Sequence, residues 1–177
     1  MKTLYLIGGT MGVGKTTVCR ELKTILSNSV LLDGDWCWDM QPFVVNEETK
    51  TMVMDNICYL LNNFLKCSHL ENVIFCWVMH EQSILDDLLS RLDLTDCEVK
   101  AVSLVCTEEA LRQRLQKDIA AGLRSEDTLQ RSIPRLTNYD ILNTIRLDTT
   151  GKTPAQIAGL IQNPENHPAE MERRNQL

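Results

Sequence analysis

The sequence predicts an α/β domain, a mostly parallel sheet with helices packed on both faces. Three observations carry that prediction. Short apolar runs alternate with segments of helical periodicity along the chain. The first apolar run leads directly into a glycine-rich turn and then an amphipathic helix. The chain also has 177 residues, 44% of them hydrophobic and 24% charged, which fits one domain with a sizeable core better than two.

Taken in order, the first strand covers residues 3–7, and the first helix opens at Gly14 and runs to about Leu26. Residues 29–32 form the second strand. A longer helix starts near Asn46, a good N-cap followed by Glu47 and Glu48, which favour the positive end of the helix dipole. Its apolar positions Val53, Ile57, Leu60, Leu61 and Phe64 recur at helical spacing. The third strand covers residues 72–78 and its helix residues 82–92; the fourth strand covers 99–105. The next helix begins at Thr107, with Glu108 and Glu109 in its first turn. The polar stretch 117–127 reads as a mobile loop, followed by another helix from about Thr128. The fifth strand is 144–147, and the last helix has Thr153 as cap and Pro154 in its first turn. Residues 163–177, polar and containing Pro164 and Pro168, read as a frayed extension of a domain formed by residues 1–162.

Composition excludes several classes of function. The net charge of −6 and pI near 5.1, with no basic block, argue against a nucleic-acid partner, whose phosphates need Lys and Arg. No apolar run approaches the roughly 20 residues that span a bilayer, so no membrane partner is expected. The apolar N-terminus is broken by Gly8 and Gly9 and leads into a motif that must be retained, so it reads as a strand and not a signal peptide. Seven cysteines, an odd number with no CxxC pair, read as free thiols in a reducing cytoplasm. The three histidines, His69, His80 and His167, show no ligand spacing with them, so zinc is not expected.

Gly9-Thr10-Met11-Gly12-Val13-Gly14-Lys15-Thr16 satisfies GxxxxGKS/T at every specified position. Its glycines let successive backbone N–H groups turn inward on phosphate oxygens. The helix opening at Gly14 adds its positive end. Lys15 would reach the β- and γ-phosphates, and the Thr16 hydroxyl would ligate Mg²⁺. Met11, Val13 and Thr17 complete the segment that lines the phosphates. The motif lies between an apolar strand and an amphipathic helix, where this chemistry needs it, so Mg·ATP is the expected ligand.

Leu31-Leu32-Asp33-Gly34-Asp35 places two carboxylates at the carboxyl end of the second strand. Residues two apart on a strand face one side, so Asp33 and Asp35 are both expected to point at the γ-phosphate. Phosphoryl transfer needs one carboxylate on the metal side and one to accept the acceptor's proton. The glycine-rich loop with Asp-Gly-Asp resembles the P-loop kinases of small molecules: gluconate, shikimate and adenylylsulfate kinases and chloramphenicol phosphotransferases. That resemblance implies a three-layer α/β/α fold with five parallel strands in order 2-3-1-4-5. It also implies Asp33 as the magnesium-side carboxylate and Asp35 as the base.

Leu111-Arg112-Gln113-Arg114-Leu115 resembles the helix entering the lid of nucleotide kinases, which implies that Arg114 stacks on adenine. Gly122-Leu123-Arg124-Ser125-Glu126-Asp127, then Arg135-Leu136 and Tyr139, is similar to the lid of uridylate and cytidylate kinases. The likeness puts Arg124 and Arg135 at the charge-stabilising positions, where planar guanidinium groups grip the transferred phosphoryl. Arg131 has no assigned role, and Asp118 stands where some relatives carry a second arginine. Asp148-Thr149-Thr150-Gly151 falls where such kinases pass backbone by the adenine; with no NKxD motif present, its DxxG pattern does not indicate a GTPase. The third strand ends at Trp77-Val78-Met79-His80-Glu81 without a clear magnesium-binding aspartate, so His80 and Glu81 read as polar strand-end residues. A kinase of this kind would act on ATP and a small-molecule acceptor as a monomer or homodimer in the cytoplasm. Trp36, Trp38, Asp39, Met40 and Phe43 are the candidate acceptor wall, suited to a neutral or cationic acceptor. A nucleoside monophosphate kinase and a non-catalytic ATP-binding switch are the competing expectations.

Overall fold

A computed structural model describes residues 1–163 and 171–172. Five strands run parallel in the order β2-β3-β1-β4-β5: β1 Lys2–Gly8, β2 Ser29–Asp33, β3 Asn72–Cys76, β4 Cys97–Val105 and β5 Ile145–Asp148. The expected order is therefore present. A sixth strand, β6 Met171–Glu172, adds antiparallel to β5. Part of the segment expected to fray thus pairs with the sheet; residues 164–170 and 173–177 lie outside the described residues.

Alternation along the central strand builds the two flanking layers. Leu4 and Leu6 of β1 and Val73 and Phe75 of β3 face one core, filled by α2 (Glu47–Lys66) and α3 (Gln82–Ser90). Tyr5 and Ile7, with Ile74 and Cys76, face the other, filled by α1 (Lys15–Ile25) and α6 (Pro154–Gln162). A strand buried on both faces must be apolar at every position, which is why these strands read as continuous hydrophobic runs. The α2 stripe Val53, Ile57, Leu61 is wholly buried. Each such side chain contributes about 1.5–3 kcal/mol by leaving water.

Helix ends follow local chemistry. Asn46 caps α2 in a reciprocal capping box with Thr49, and Thr153 does the same for α6 with Gln156. Thr107 caps α4 (Glu108–Ala120). That helix runs through Lys117 and Asp118 to Ala120, so the expected loop over 117–127 shrinks to its second half. Gln113 donates to Glu109 and Arg112 pairs with Glu108, and such four-residue pairs support a polar helix that has no continuous apolar stripe. A short α5 (Asp127–Ser132) and a 3₁₀ turn (Leu136–Asp140) lead back to β5. β3 stops at Cys76, two residues before the expected end.

The strand order switches sides at β1, with β3 and β2 on one side of it and β4 and β5 on the other. The crevice at the carboxyl end of β1 is where such sheets bind ligands.

Candidate active site

The loop after β1 occupies that crevice. Gly9, Gly12 and Gly14 have φ of 147°, 84° and 107°, in the left-handed region closed to most side chains. Gly12 is also pinned by packing. A Cβ there would lie 2.4 Å from Leu115 Cδ2, so α4 packs directly on the loop's backbone. Helix α1 then begins at Lys15 with neither a side-chain cap nor an acidic residue in its first turn. Its free N–H groups and positive dipole end suit an anion.

Lys15 Nζ donates to the carbonyls of Gly9 (2.8 Å) and Thr10 (3.1 Å) rather than to a carboxylate. Burial pushes its pKa down, while Asp35, Cys76 and Asp33 pull the other way. A half-buried cation with no carboxylate bound to it favours an incoming anion. Thr16, one residue on, donates its hydroxyl to Asp33 Oδ2 at 2.7 Å. Thr17 is exposed on α1, Met11 is half-buried, and Val13 is buried in the core beneath the loop.

Asp33 and Asp35 do not share a strand face as expected. β2 ends at Asp33, and residues Gly34–Trp38 form a 3₁₀ turn. Asp33 Oδ1 accepts the Asp35 N–H at 3.1 Å, an Asx-type cap that starts the turn. The turn gives the two carboxylates different neighbours. Asp33 is buried against Thr16, whereas Asp35 opens toward solvent. Burial raises the Asp35 pKa, and Asp33 adds to the rise. Lys15, Trp77 and Arg124 oppose it.

Arg124, in the loop between α4 and α5, therefore lies close enough for its charge to act on both Asp35 and Lys15. Its Nε donates to Asp118 Oδ2 at 3.0 Å, so Asp118 at the end of α4 anchors it. Arg135 lies after α5, at the start of the 3₁₀ turn Leu136–Asp140. Its charge bears on His80, whose pKa is lowered first by burial and then by Arg135, against the pull of Glu81. Arg131 pairs with Asp127 at 2.9 Å on α5. The lid segment is tied to the phosphate loop by Thr10, whose buried hydroxyl donates to the Ser132 carbonyl at 2.9 Å.

Arg114 has a structural task that its sequence pattern did not reveal. Nη1 donates to the Val13 carbonyl and to Thr149 Oγ1, both at 2.9 Å, and Nη2 donates to the Thr149 carbonyl at 2.8 Å. One guanidinium thus joins the phosphate loop to the turn after β5. Thr149 also donates N–H and hydroxyl to the Val105 carbonyl, at 2.8 and 3.0 Å.

On the acceptor side, Trp36 and Phe43 are 55% and 63% exposed, while Trp38 is half-buried. Trp38 lies 5.8 Å from Phe43 and 6.2 Å from Trp77, ring centre to ring centre. Sequence reasoning took Trp77 only as a strand-end residue. Its role depends on the register that sets β3 beside β2, which no local signal announces. Asp39 is exposed and Met40 half-buried along the same segment. His80 Nε2 lies 3.3 Å from Glu81 Oε1 at the crevice edge. Among the described residues no cluster of three or more His, Cys, Asp or Glu could hold a metal, and no helix is long and apolar enough to cross a membrane.

The AAA-domain family matches residues 6–128. No curated protein sequence matches the chain. Among solved structures, a gluconokinase from Sinorhizobium meliloti 1021 superposes with a TM-score of 0.67 at 16% identity, covering 95% of this chain and 94% of that one. The tunicamycin resistance protein of Deinococcus radiodurans gives 0.65 at 17%, covering 93% and 96%. Shikimate kinase from Acinetobacter baumannii, in complex with shikimate, gives 0.62 at 20%, covering 95% and 94%. At these identities the likeness concerns the fold. With a phosphate loop of this geometry at the switch point of a 2-3-1-4-5 sheet and a family match over most of the domain, the chain belongs to the AAA-domain family of P-loop proteins and has the fold of the small-molecule kinases.

Proposed function

We propose that the protein is a kinase that uses Mg·ATP to phosphorylate a hydroxyl of a small neutral or cationic molecule. The observation that carries this reading is the division between two carboxylates two residues apart. Asp33 is bonded to the Thr16 hydroxyl at 2.7 Å, and Asp35 is turned to the open crevice beside Trp77. A switch protein with no acceptor needs the first arrangement and has no use for the second.

The residues fit Mg·ATP. Three positive-φ glycines form the loop, a half-buried lysine meets no bound carboxylate, and an uncapped helix begins behind them. Magnesium supplies a divalent charge that offsets the negative charge of the phosphate oxygens. Thr16 and Asp33 would hold it, directly or through water. Lys15 balances phosphate charge from within the loop, and the backbone N–H groups at the start of α1 orient it. Asp35 takes the proton from the acceptor hydroxyl, and its raised pKa makes it a better proton acceptor than an ordinary carboxylate. Arg124 and Arg135 approach from the lid and stabilise charge on the transferred group. Arg114 holds the turn after β5, beside which the adenine would lie.

The acceptor class follows from charge. An acceptor that is itself a phosphate needs fixed cations. Lys50 is paired with Glu47 at 2.8 Å, and Arg91 with both Asp55 and Asp87 at 2.8 Å. Lys66 stands in the last turn of α2. Lys15 and Arg124, which also act on Asp35, are assigned to the phosphates of ATP, and the turn that carries Asp35 adds the aromatic Trp36 and Trp38, which suit a ring, a sugar or an amine. A coupled assay of ADP release tests the reading, with AMP, CMP, UMP, dTMP and GMP set beside polyols and amino-alcohol antibiotics. Stimulation by a neutral or cationic hydroxyl compound is expected. Efficient turnover of a monophosphate, above about 10⁴ M⁻¹s⁻¹ in kcat/KM, would move the protein to the nucleotide kinases.

A further inference from the structure

Arg135 lies between two tethers to the first residues of the phosphate loop. Before it, the Ser132 carbonyl accepts the Thr10 hydroxyl at 2.9 Å and the Arg135 backbone N–H at 3.2 Å. After it, the Val78 carbonyl accepts the Tyr139 hydroxyl at 2.7 Å and the Gly9 backbone N–H at 3.4 Å. Each tether joins the loop to the segment that carries Arg135 through one shared carbonyl. Thr10, Ser132 and Tyr139 are fully buried, so water does not compete for these bonds. The Val78 anchor is itself fixed. The Trp77 N–H donates to the Ile7 carbonyl at 3.2 Å, and buried Met79, held at φ 39°, packs on Gly8 at the end of β1. Between the tethers the Asn138 N–H returns to the Arg135 carbonyl at 3.1 Å. Arg124 is held differently. Residues 121–127 are exposed throughout, and its bond to Asp118 returns to α4 rather than to the phosphate loop.

We propose that Thr10 and Tyr139 are positioning residues for Arg135, their two hydroxyls setting the backbone of its turn against the phosphate loop before any nucleotide arrives. This rests on the reading of Arg135 as a residue that stabilises charge on the transferred group. A cation serves developing charge best when it is already in place, and a misplacement of about 1 Å can cost about a hundredfold in rate. Neither hydroxyl is needed to satisfy its acceptor. Without that of Tyr139 the Val78 carbonyl keeps the Gly9 N–H, and without that of Thr10 the Ser132 carbonyl keeps the Arg135 N–H. Removing either one therefore leaves no buried carbonyl orphaned.

Tyr139→Phe and Thr10→Val each delete one hydroxyl and keep the outline of the side chain. With the acceptor identified by the ADP-release screen, each should lower kcat roughly ten- to a hundredfold and leave the KM for ATP within about twofold. The same substitutions in an Arg135→Ala background, followed by single-turnover transfer from labelled ATP, should change the rate less than about twofold, because the group they position is gone. Equal losses in both backgrounds, as a merely structural role would give, overturn the proposal, and so does an unchanged kcat in the two single variants. A second readout needs no turnover. In the ligand-free protein the Arg135 backbone amide should exchange slowly with solvent, and about tenfold or more faster in each variant, while amides of β1 keep their rates. Unchanged exchange at Arg135 in both variants overturns the tethers. Faster exchange in a protein that no acceptor activates would keep the tethers and overturn the kinase reading instead.

Discussion

Replacing Arg114 with methionine should destabilise the ligand-free protein, a result not expected of a side chain that serves only to stack on a nucleotide. The magnitude follows from what each acceptor loses. Thr149 keeps its hydroxyl bond to the Val105 carbonyl at 3.0 Å, and the Thr149 carbonyl keeps the Lys152 N–H at 3.2 Å. The Val13 carbonyl loses the guanidinium that it accepts from at 2.9 Å. Leaving one largely buried acceptor unpaired costs about 1–3 kcal/mol. For a domain of this size that corresponds to about 2–12 °C in Tm, at roughly 2–4 °C per kcal/mol. Arg114→Lys keeps the charge but cannot span three acceptors with one point donor, so it should recover only part of the loss. Thermal unfolding followed by circular dichroism, without nucleotide, measures the effect. A ligand-free Tm within about 1 °C of wild type would refute the assignment of Arg114 as the clamp between the phosphate loop and the β5 turn.

Other substitutions test the rest of the site. Mg·ATP should raise Tm by mass action, about 2.7 kcal/mol at a hundredfold excess over Kd, and Lys15→Ala should remove most of that rise in a thermal-shift assay. Asp35→Asn should abolish acceptor-dependent ADP release while leaving ATP binding intact by calorimetry. Asp33→Asn should instead raise the magnesium concentration needed for half-maximal binding, and the reverse pattern would exchange their roles. Arg124→Ala and Arg135→Ala should each lower kcat by roughly two to four orders of magnitude, with a smaller change in nucleotide affinity. His80 titrates lower in the folded protein than the ordinary histidine value of 6.5, so the unfolded chain binds its proton first. Its contribution to stability is present above pH 6.5 and is lost as pH falls from there toward the folded value. The fall in urea midpoint between about pH 7.5 and 5.5 should therefore shrink in His80→Gln, and an unchanged fall would show that His80 is not responsible.

The fold was legible because its signals are local. Continuous apolar runs at β1 and β3 mark strands covered on both faces, and the Asn46 and Thr153 caps mark where helices begin. The misreadings share one cause. Residues 117–120 look like loop because Lys117 and Asp118 open a polar stretch, yet α4 continues through them, its earlier turns supported by side-chain pairs four residues apart. Met171–Glu172 look like tail because two residues carry no strand pattern, and the open edge of β5 is what recruits them. In both places polarity was the local signal, and the deciding interaction was with another turn or another strand.

The site divides along the same line. The phosphate loop is a contiguous motif, so its sequence states its geometry: three glycines at positive φ, then a lysine and a threonine at the head of a helix. The acceptor half is assembled from segments far apart in the chain. Asp35 comes from the turn after β2, Trp77 from the end of β3 and Arg124 from beyond α4, and they meet only because β3 lies between β2 and β1. A strand-face argument therefore paired two carboxylates that the turn separates. What separates Asp33 from Asp35 is their surroundings, a threonine hydroxyl for one and an open crevice for the other. Neither environment is encoded within the Asp-Gly-Asp sequence, because the threonine comes from the helix after β1 and the open side of Asp35 from the 3₁₀ turn that carries it out of the strand.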